Sequence, residues 1–261
     1  SQEKIQSNLI KVLGNAEVKT FGSDNQLKIT TNYKVDTDSS DVDEEINNIL
    51  YADLAEFMSK NISFEEFVVN GDENKQAGIM SAIKVGPTIA DDIKKNSFYA
   101  VFGSLIIVFL YILLRFKNWQ FSLGAVSAVF HDVLVVLGIF SLTYSFMPFN
   151  MEINQAFIAA VLTVIGYSLN DTVVVFDRIR EYRNINTSWE LPRIVDSALN
   201  STLSRTLNTS FTTLVVLVSI FIFGGESIRG FMFALIVGVL IGTYSSVFVA
   251  TPVMYDTLKK K

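Results

Sequence analysis

The sequence predicts a membrane α-helical bundle of five spans preceded by a small extracytoplasmic α+β domain, and three observations carry that prediction. Half of the 261 residues are hydrophobic and the mean hydropathy is +0.37, more apolar than a single water-soluble domain of this size. The charge is split: residues 1–96 hold 17 acidic and 10 basic side chains, whereas 97–261 hold 9 and 11. From Ser97 onward the chain runs in apolar stretches near the 20 residues that a helix needs to cross a bilayer.

Residues 1–96 read as the α+β domain. Ile5, Leu9, Val12 and Leu13 recur at helical spacing, and Leu27, Ile29, Thr31, Tyr33 and Val35 alternate with mostly polar neighbours as a half-buried strand does. Asp41, with Glu44 three positions on, reads as the cap of a helix that places Ile46, Leu50, Leu54 and Phe57 on one face. Residues 67–69 and 79–85 read as strands closed by the turn pairs Asn70-Gly71 and Gly86-Pro87. An antiparallel sheet with helices on one side, ferredoxin-like, accommodates this order. No residue cluster in the domain suggests chemistry.

In residues 97–261 the spans are placed at about 97–114, 121–144, 155–176, 204–224 and 228–250. The first connection holds Arg115 and Lys117, residues 177–203 hold Arg178, Arg180, Arg183 and Arg193, and the tail ends in Lys259, Lys260 and Lys261, while the opposite loops hold only Arg229. The positive-inside rule then makes the basic side and the C-terminus cytoplasmic and puts the 1–96 domain outside. Residues 177–203, with Ile194, Val195 and Leu199 among polar neighbours and Pro192 opening a turn, read as a short amphipathic cytoplasmic helix. Gly238 with Gly242, and Gly124 with Ala128, are small-residue pairs that favour close helix packing.

Polar residues break three spans: His131 and Asp132 in the second, Asn170 and Asp171 in the third, Arg205 at the start of the fourth. A carboxylate at the centre of a membrane helix costs roughly 2.5–3.5 kcal/mol on insertion scales, so Asp171 reads either as a proton or ion relay or as a structural polar knot. At 1.5 Å per residue it lies roughly 10 Å below the surface at Arg178, and an arginine entering from that surface one span later reaches a similar level. An antiparallel pair of spans therefore brings Asp171 and Arg205 within salt-bridge range, although Arg205 also fits a snorkelling anchor. Asn208, Thr209 and Thr212 share the face of Arg205. Adjacent residues point about 100° apart on a helix, so His131 and Asp132 cannot both face one partner. Asp132 reads as a second acidic site, and His131 equally as a hydrogen-bonded packing residue. Asp177, Arg178, Arg180 and Glu181 fit a solvated helix end.

No Walker loop, dinucleotide fingerprint, nucleophile triad or metal-spaced His/Cys set occurs, so neither an enzyme nor a cofactor or metal is expected. With no cysteine the redox compartment is unreadable. Ser1 to Gly14 is mixed and charged, with no initiator methionine and no apolar core, so a fragment or processed chain is expected.

These stretches resemble a known family. "GYSLNDTVVVFDRIRE" at 166–181, "HDV" at 131–133, "VGP" at 85–87 and "LSRTLNTSFTT" at 203–213 are similar to SecF, or to the SecF half of a fused SecDF, of the bacterial protein-export machinery. The resemblance runs through the whole chain in order. It implies an RND-superfamily protein of the inner membrane that assists the SecYEG translocon, using the proton motive force to help draw exported unfolded polypeptides outward. Its implied partners are SecD or a SecD half, the translocon, the polypeptide, membrane lipid and protons, with no nucleic acid. Such proteins have six spans, the first ahead of the outer domain and followed by a Gly-Gly motif, and neither is present here. Their glycine shortly after "VGP" is replaced by the run Thr88, Ile89, Ala90. The resemblance implies a proton relay of Asp171 and Arg205 completed by an aspartate of SecD, with Asn170, Thr172, His131, Asp132, Asn208 and Thr209 as supporting polar residues. Two other readings stay open: an RND-type proton-driven exporter of small molecules or lipids, and a non-transporting receptor or scaffold.

Overall fold

The computed structural model describes residues 2–21, 23–37, 39–58, 62–69 and 78–259. The chain divides into two compact units, Ser1–Lys94 and Lys95–Lys261.

In the first unit, α1 (Gln2–Leu13) turns Ile5, Leu9 and Leu13 inward and leaves Val12 at the surface. Gly14 ends it at φ +75°, a left-handed conformation that costs glycine nothing. A hairpin follows, β1 (Glu17–Phe21) antiparallel to β2 (Ser23–Thr30), with Val18 opposite Ile29. The alternation expected through Val35 stops at Thr30. There Thr31 Oγ1 donates to the Asn15 carbonyl at 2.6 Å and accepts from the Tyr33 N–H, and Lys34 takes φ +45°, so the chain turns. The next helix, α2 (Ser40–Leu54), is capped by Ser39 rather than Asp41: Ser39 is extended, and its hydroxyl accepts the Asp41 N–H. Ile49, Leu50, Leu54 and Phe57 then pack on the α1 and β1 core.

Two expected strands are not strands. Residues 64–68 form a short helix, α3 (Phe64–Val68), because Ser63 and Glu66 make a reciprocal capping box that outweighs the short apolar run Phe67 to Val69. Residues 79–85 are irregular, held by the Ile79 N–H on the Phe67 carbonyl and by Lys84 Nζ on the Thr37 carbonyl. The turn pair Asn70-Gly71 lies outside the described residues. Among the described residues the unit has two strands, where a ferredoxin-like sheet has four.

The second unit is helical. Five helices are long and apolar enough to cross a membrane: Asp91–Phe116 within α4 (Pro87–Phe116), α5 (Trp119–Thr143), α6 (Gln155–Ile185), α7 (Leu191–Phe223) and the composite Ile228–Lys259. The composite runs from α8 (Glu226–Ser245) through a π turn (Ser246–Ala250) into α9 (Thr251–Lys259), nine residues beyond the span end expected at 250. Residues 177–203 are not a separate amphipathic helix. α6 carries on to Ile185 and α7 begins at Leu191, with Pro192 in its first turn, where the missing N–H has no helical partner to lose. The apolar Ile194, Val195 and Ala198 are the buried foot of α7.

α6 is central, packed on α5, α7 and α8, while α5 also lies against the π turn and α9. Glycine sets the closest approach: a Cβ on Gly238 of α8 would overlap the Val164 side chain of α6, and one on Gly242 would crowd Ser168. Phe116 stacks on Phe121 at 5.1 Å, and both meet Phe176 edge-on, fastening the α4–α5 turn to α6. Asp177, Arg178, Arg180 and Glu181 tie helix ends together. Asp177 pairs with Arg115 at 2.9 Å and Arg180 at 2.8 Å, while Arg178 bonds Glu181 and Ser201.

Candidate intramembrane polar site

The buried stripe of α6 repeats at i, i+3, i+4 and i+7 as Ser168, Asp171, Thr172 and Val175, so the helical period itself carries a carboxylate into the bundle. Asp171 is 2 % exposed. Its Oδ2 is 3.5 Å from the Ser210 hydroxyl of α7, and that hydroxyl is 2.5 Å from Thr243 Oγ1 of α8. Tyr167 OH reaches Ser210 and Thr213 at 3.5 and 3.3 Å. Asp171 therefore sits where three helices meet, in long contact with a shared hydroxyl.

The expected salt bridge to Arg205 is not made: no nitrogen of Arg205 comes within 4.0 Å of the carboxylate. The cause is angular. α7 turns Thr202, Thr206 and Ser210 inward, and Arg205, one residue from Thr206, is rotated about 100° to the exposed side with Asn208, Thr209 and Thr212. Thr209 donates to the Arg205 carbonyl at 2.9 Å, and Asn170 is exposed. Thr172 is fully buried, with no hydrogen-bond partner for its hydroxyl among the described residues.

A more completely bonded carboxylate than Asp171 is Asp132 of α5, at 0 % exposure. Its Oδ2 accepts from Ser168 of α6 at 2.5 Å and Ser245 of α8 at 2.8 Å, and its Oδ1 is 3.1 Å from Nδ1 of His131. The His131 side chain is 34 % exposed, with the Tyr244 ring 6.3 Å away. The site thus holds two carboxylates that α6 serves one turn apart, Asp132 through Ser168 and Asp171 directly. The hydroxyls of Ser168, Ser210, Thr243 and Ser245 are not singled out by the sequence, though each lies within an expected span. Among the described residues no group of three or more His, Cys, Asp or Glu side chains is placed to hold a metal.

Comparison with known proteins adds the family. The family described as "Protein export membrane protein SecD/SecF, C-terminal" matches residues 67–260. The chain belongs to this SecD/SecF family. It is 59 % identical to the protein translocase subunit SecF of Rhodothermus marinus over 66 % of this chain and 56 % of that protein. It is 38 % identical to SecF of Desulfurispirillum indicum over 95 % and 73 %. Against the protein translocase subunit SecDF of Brucella abortus, identity is 46 % over 65 % of this chain and 22 % of that protein. A crystal structure of SecDF in a super-membrane-facing form is similar over 85 % of this chain and 26 % of that one, with a TM-score of 0.61 and 30 % identity. The chain thus spans little more than half the length of the Rhodothermus SecF and under a quarter of the Brucella SecDF. The SecD/SecF match contains α4 to α9, hence both carboxylates and every hydroxyl that serves them.

Proposed function

We propose that this chain is the SecF part of a Sec-translocon accessory complex in the bacterial cytoplasmic membrane, where it uses the proton motive force to assist polypeptide export and catalyses no chemical conversion. Asp171 takes up a proton from the outer side and releases it to the cytoplasm. The observation that carries this reading is the position of Asp171: a carboxylate 2 % exposed at a three-helix junction, held among the described residues only by a long contact to Ser210. A carboxylate serving only to pack helices in lipid would be expected to have its hydrogen bonds filled. A low dielectric in general favours a neutral carboxyl and a nearby cation a charged one, and where two such effects oppose, small helix movements can tip the balance.

Arg205 has a second consequence. With Asn208, Thr209 and Thr212 it forms a polar, exposed face on a helix of membrane-spanning length. A cation on such a face is costly against lipid and calls for a protein partner. A SecD helix carrying a carboxylate fits that face, and SecD is the partner that the family's fused members hold on one chain. The acidic 1–96 unit would stand outside and meet the emerging polypeptide, with the basic ends of α4 to α9 in the cytoplasm. One charge moved through the membrane potential gives about 2.3 kcal/mol per 100 mV, enough to drive a helix shift that the outer unit could follow.

The test is export of a slow secretory substrate, with and without an uncoupler, in cells carrying the full-length protein and its SecD partner. Asp171→Asn keeps shape and hydrogen bonding and should abolish the uncoupler-sensitive part of export. Arg205→Lys keeps charge but loses the planar fork, so a bidentate role against SecD predicts severe loss and a snorkelling anchor predicts none. Normal, uncoupler-sensitive export by Asp171→Asn would reduce Asp171 to a structural knot.

A further inference from the structure

The Asp132 cluster is left unused by that reading. Asp132 is fully buried, yet its neighbour in both sequence and space, His131, keeps a third of its side chain outside the bundle. The ring turns Nδ1 toward Asp132 Oδ1 at 3.1 Å, so Nε2 is the ring nitrogen free to exchange a proton with whatever lies beyond the helix. On the other side of the carboxylate, two hydroxyls from two helices converge on Oδ2, and one of them, Ser245, is the last residue of α8 before the π turn. π turns are rare and recur at functional sites. Here Thr251 Oγ1 donates to the Ser246 carbonyl at 2.9 Å across the widened turn.

We propose that His131 and Asp132 form a second proton-holding site of the bundle, and that the charge on Asp132 sets how firmly Ser245 holds the π turn against α5 and α6. The inference rests on the proton-driven reading above, but it concerns residues that do not touch Asp171 or Arg205. A proton adds to Nε2 of the neutral ring. The Nδ1–H bond then breaks as an O–H bond forms on Oδ1, leaving a neutral ring protonated at Nε2 and a neutral acid at Asp132. One proton has entered, and the reverse steps release it. While Asp132 is ionised, the bonds from Ser168 and Ser245 are charge-assisted and about twice as strong as neutral ones. Loading the proton removes that advantage at both serines together, and the π turn loses part of its tether.

Few other ionisable groups face the site. On α6 they are Tyr167, beside Ser168 in sequence with its OH turned to Ser210 and Thr213, and Asp171, three residues on and bonded toward α7. On α8 it is Tyr244, beside His131. The π turn carries none, and Tyr255, Asp256 and Lys259 of α9 lie ten or more residues past Ser245. Asp132 and His131 thus form a pair whose proton exchange is largely its own. An asparagine at 132 can still accept from both serines, as the neutral acid does, so it stands in for the proton-loaded form and separates a proton-holding role from a purely structural one.

The experiment uses the full-length protein with its SecD partner. Uncoupler-sensitive export is measured across external pH for Asp132→Asn, His131→Gln and Asp171→Asn, and infrared difference spectra of the purified complex are recorded over the same range. Asp132→Asn should accumulate like the native complex and melt like its proton-loaded form at low pH, lose about tenfold of the proton-driven stimulation, and lack one titrating carboxylic C=O band. His131→Gln should keep that band but shift its midpoint, and should shift the pH profile of export with it. A native pH profile and an unchanged set of carboxylic bands in Asp132→Asn would overturn the proposal, even while loss of export in Asp171→Asn upheld the broader reading. Should Asp171→Asn export normally, the broader reading falls, and the Asp132 band still decides this one. Should Asp132→Asn fail to accumulate, His131→Gln decides: an unmoved midpoint and profile overturn the proposal.

Discussion

Ser210 of α7 stands between Asp171 and Thr243 with one hydrogen to give: its Oγ is 3.5 Å from the carboxylate and 2.5 Å from Thr243 Oγ1. Thr243 already donates to the Val239 carbonyl at 2.8 Å, so its oxygen is an acceptor for Ser210. The shorter contact wins the hydrogen, and Asp171 is only loosely held in this arrangement. A rotation of the Ser210 hydroxyl toward Asp171 would favour the ionised carboxylate and release α8.

Ser210→Ala removes that choice while leaving the Thr243 bond to Val239 intact. The expected cost in stability is about 1 kcal/mol, the usual net worth of one hydrogen bond. The expected loss in proton-driven export is several-fold, and Ser210→Thr, which restores a hydroxyl, should recover most of it. Thermal melts of the complex and the uncoupler-sensitive export rate check the two effects separately. Equal export by Ser210→Ala and the native protein would make the contact incidental.

The part of this site that was legible in the sequence is the part that composition and period control. Polar residues inside apolar runs marked Asp132, Asp171 and Arg205, and the Gly238/Gly242 pair marked the face of α8 that meets α6. What escaped depends on rotation of one helix against another. Arg205 and Thr206 are adjacent, yet Thr206 is buried and Arg205 exposed, and depth along the membrane says nothing about that 100° difference. Hydroxyls escaped for a related reason: serine and threonine can bond their own helix backbone, so their presence in a span does not announce a partner. Ser168 and Ser245 acquire meaning only once α5, α6 and α8 are assembled around Asp132. In the N-terminal unit, the capping pair Ser63 and Glu66 overrode the apolar run at 67–69, a contest between local hydrogen bonds and a three-residue stretch too short to win it.

The Gly238 contact makes a prediction about packing. The Val164 side chain is 1 % exposed and occupies the space that a Cβ on Gly238 would need, so Gly238→Ala should force α6 and α8 apart. Overpacking of this kind costs about 1–3 kcal/mol. Because the two residues touch, the changes should not add: Gly238→Ala with Val164→Ala should be more stable than Gly238→Ala alone. Melting of the purified protein in detergent measures both. A double variant less stable than either single one would show that the helices are set by other contacts.

The expected orientation is open to direct labelling. These 261 residues contain no cysteine, so within them a single substitution is the one thiol to react. Asn32 and Ser145 are exposed on the side proposed to be outside, and Asn184 is exposed near the end of α6 on the basic side. Asn32→Cys and Ser145→Cys should react with an impermeant thiol reagent added to intact cells stripped of their outer barrier, and Asn184→Cys should react only after lysis. The reverse pattern would place the outer unit where no exported chain emerges.

The N-terminal unit should respond locally to acid. Lys34, at a left-handed turn position after β2, pairs with Glu45 of α2 at 2.6 Å, and Tyr33 OH donates to the other Glu45 oxygen at 2.8 Å. The bond from Lys34, and then that from Tyr33, holds the Glu45 carboxyl below its ordinary 4.5, while the bond to Glu45, and then the one with Tyr33, raises Lys34 above its ordinary 10.5. A depressed acid contributes stability that is present above its unfolded value and is lost as pH falls through its folded one. A raised base contributes stability that is present below its unfolded value and is lost as pH rises through its folded one. The link between the turn and α2 is therefore at full strength between the two ordinary values and weakens first on the acid side. Both side chains are over 40 % exposed, so solvent and salt screen the pair and the change should be small and local. Hydrogen exchange of residues 33–50 in the full chain, corrected for the intrinsic pH dependence, should quicken as pH drops below 4.5, and Glu45→Gln should flatten that response. An acid response that survives Glu45→Gln unchanged would assign it to another carboxylate of this acidic unit.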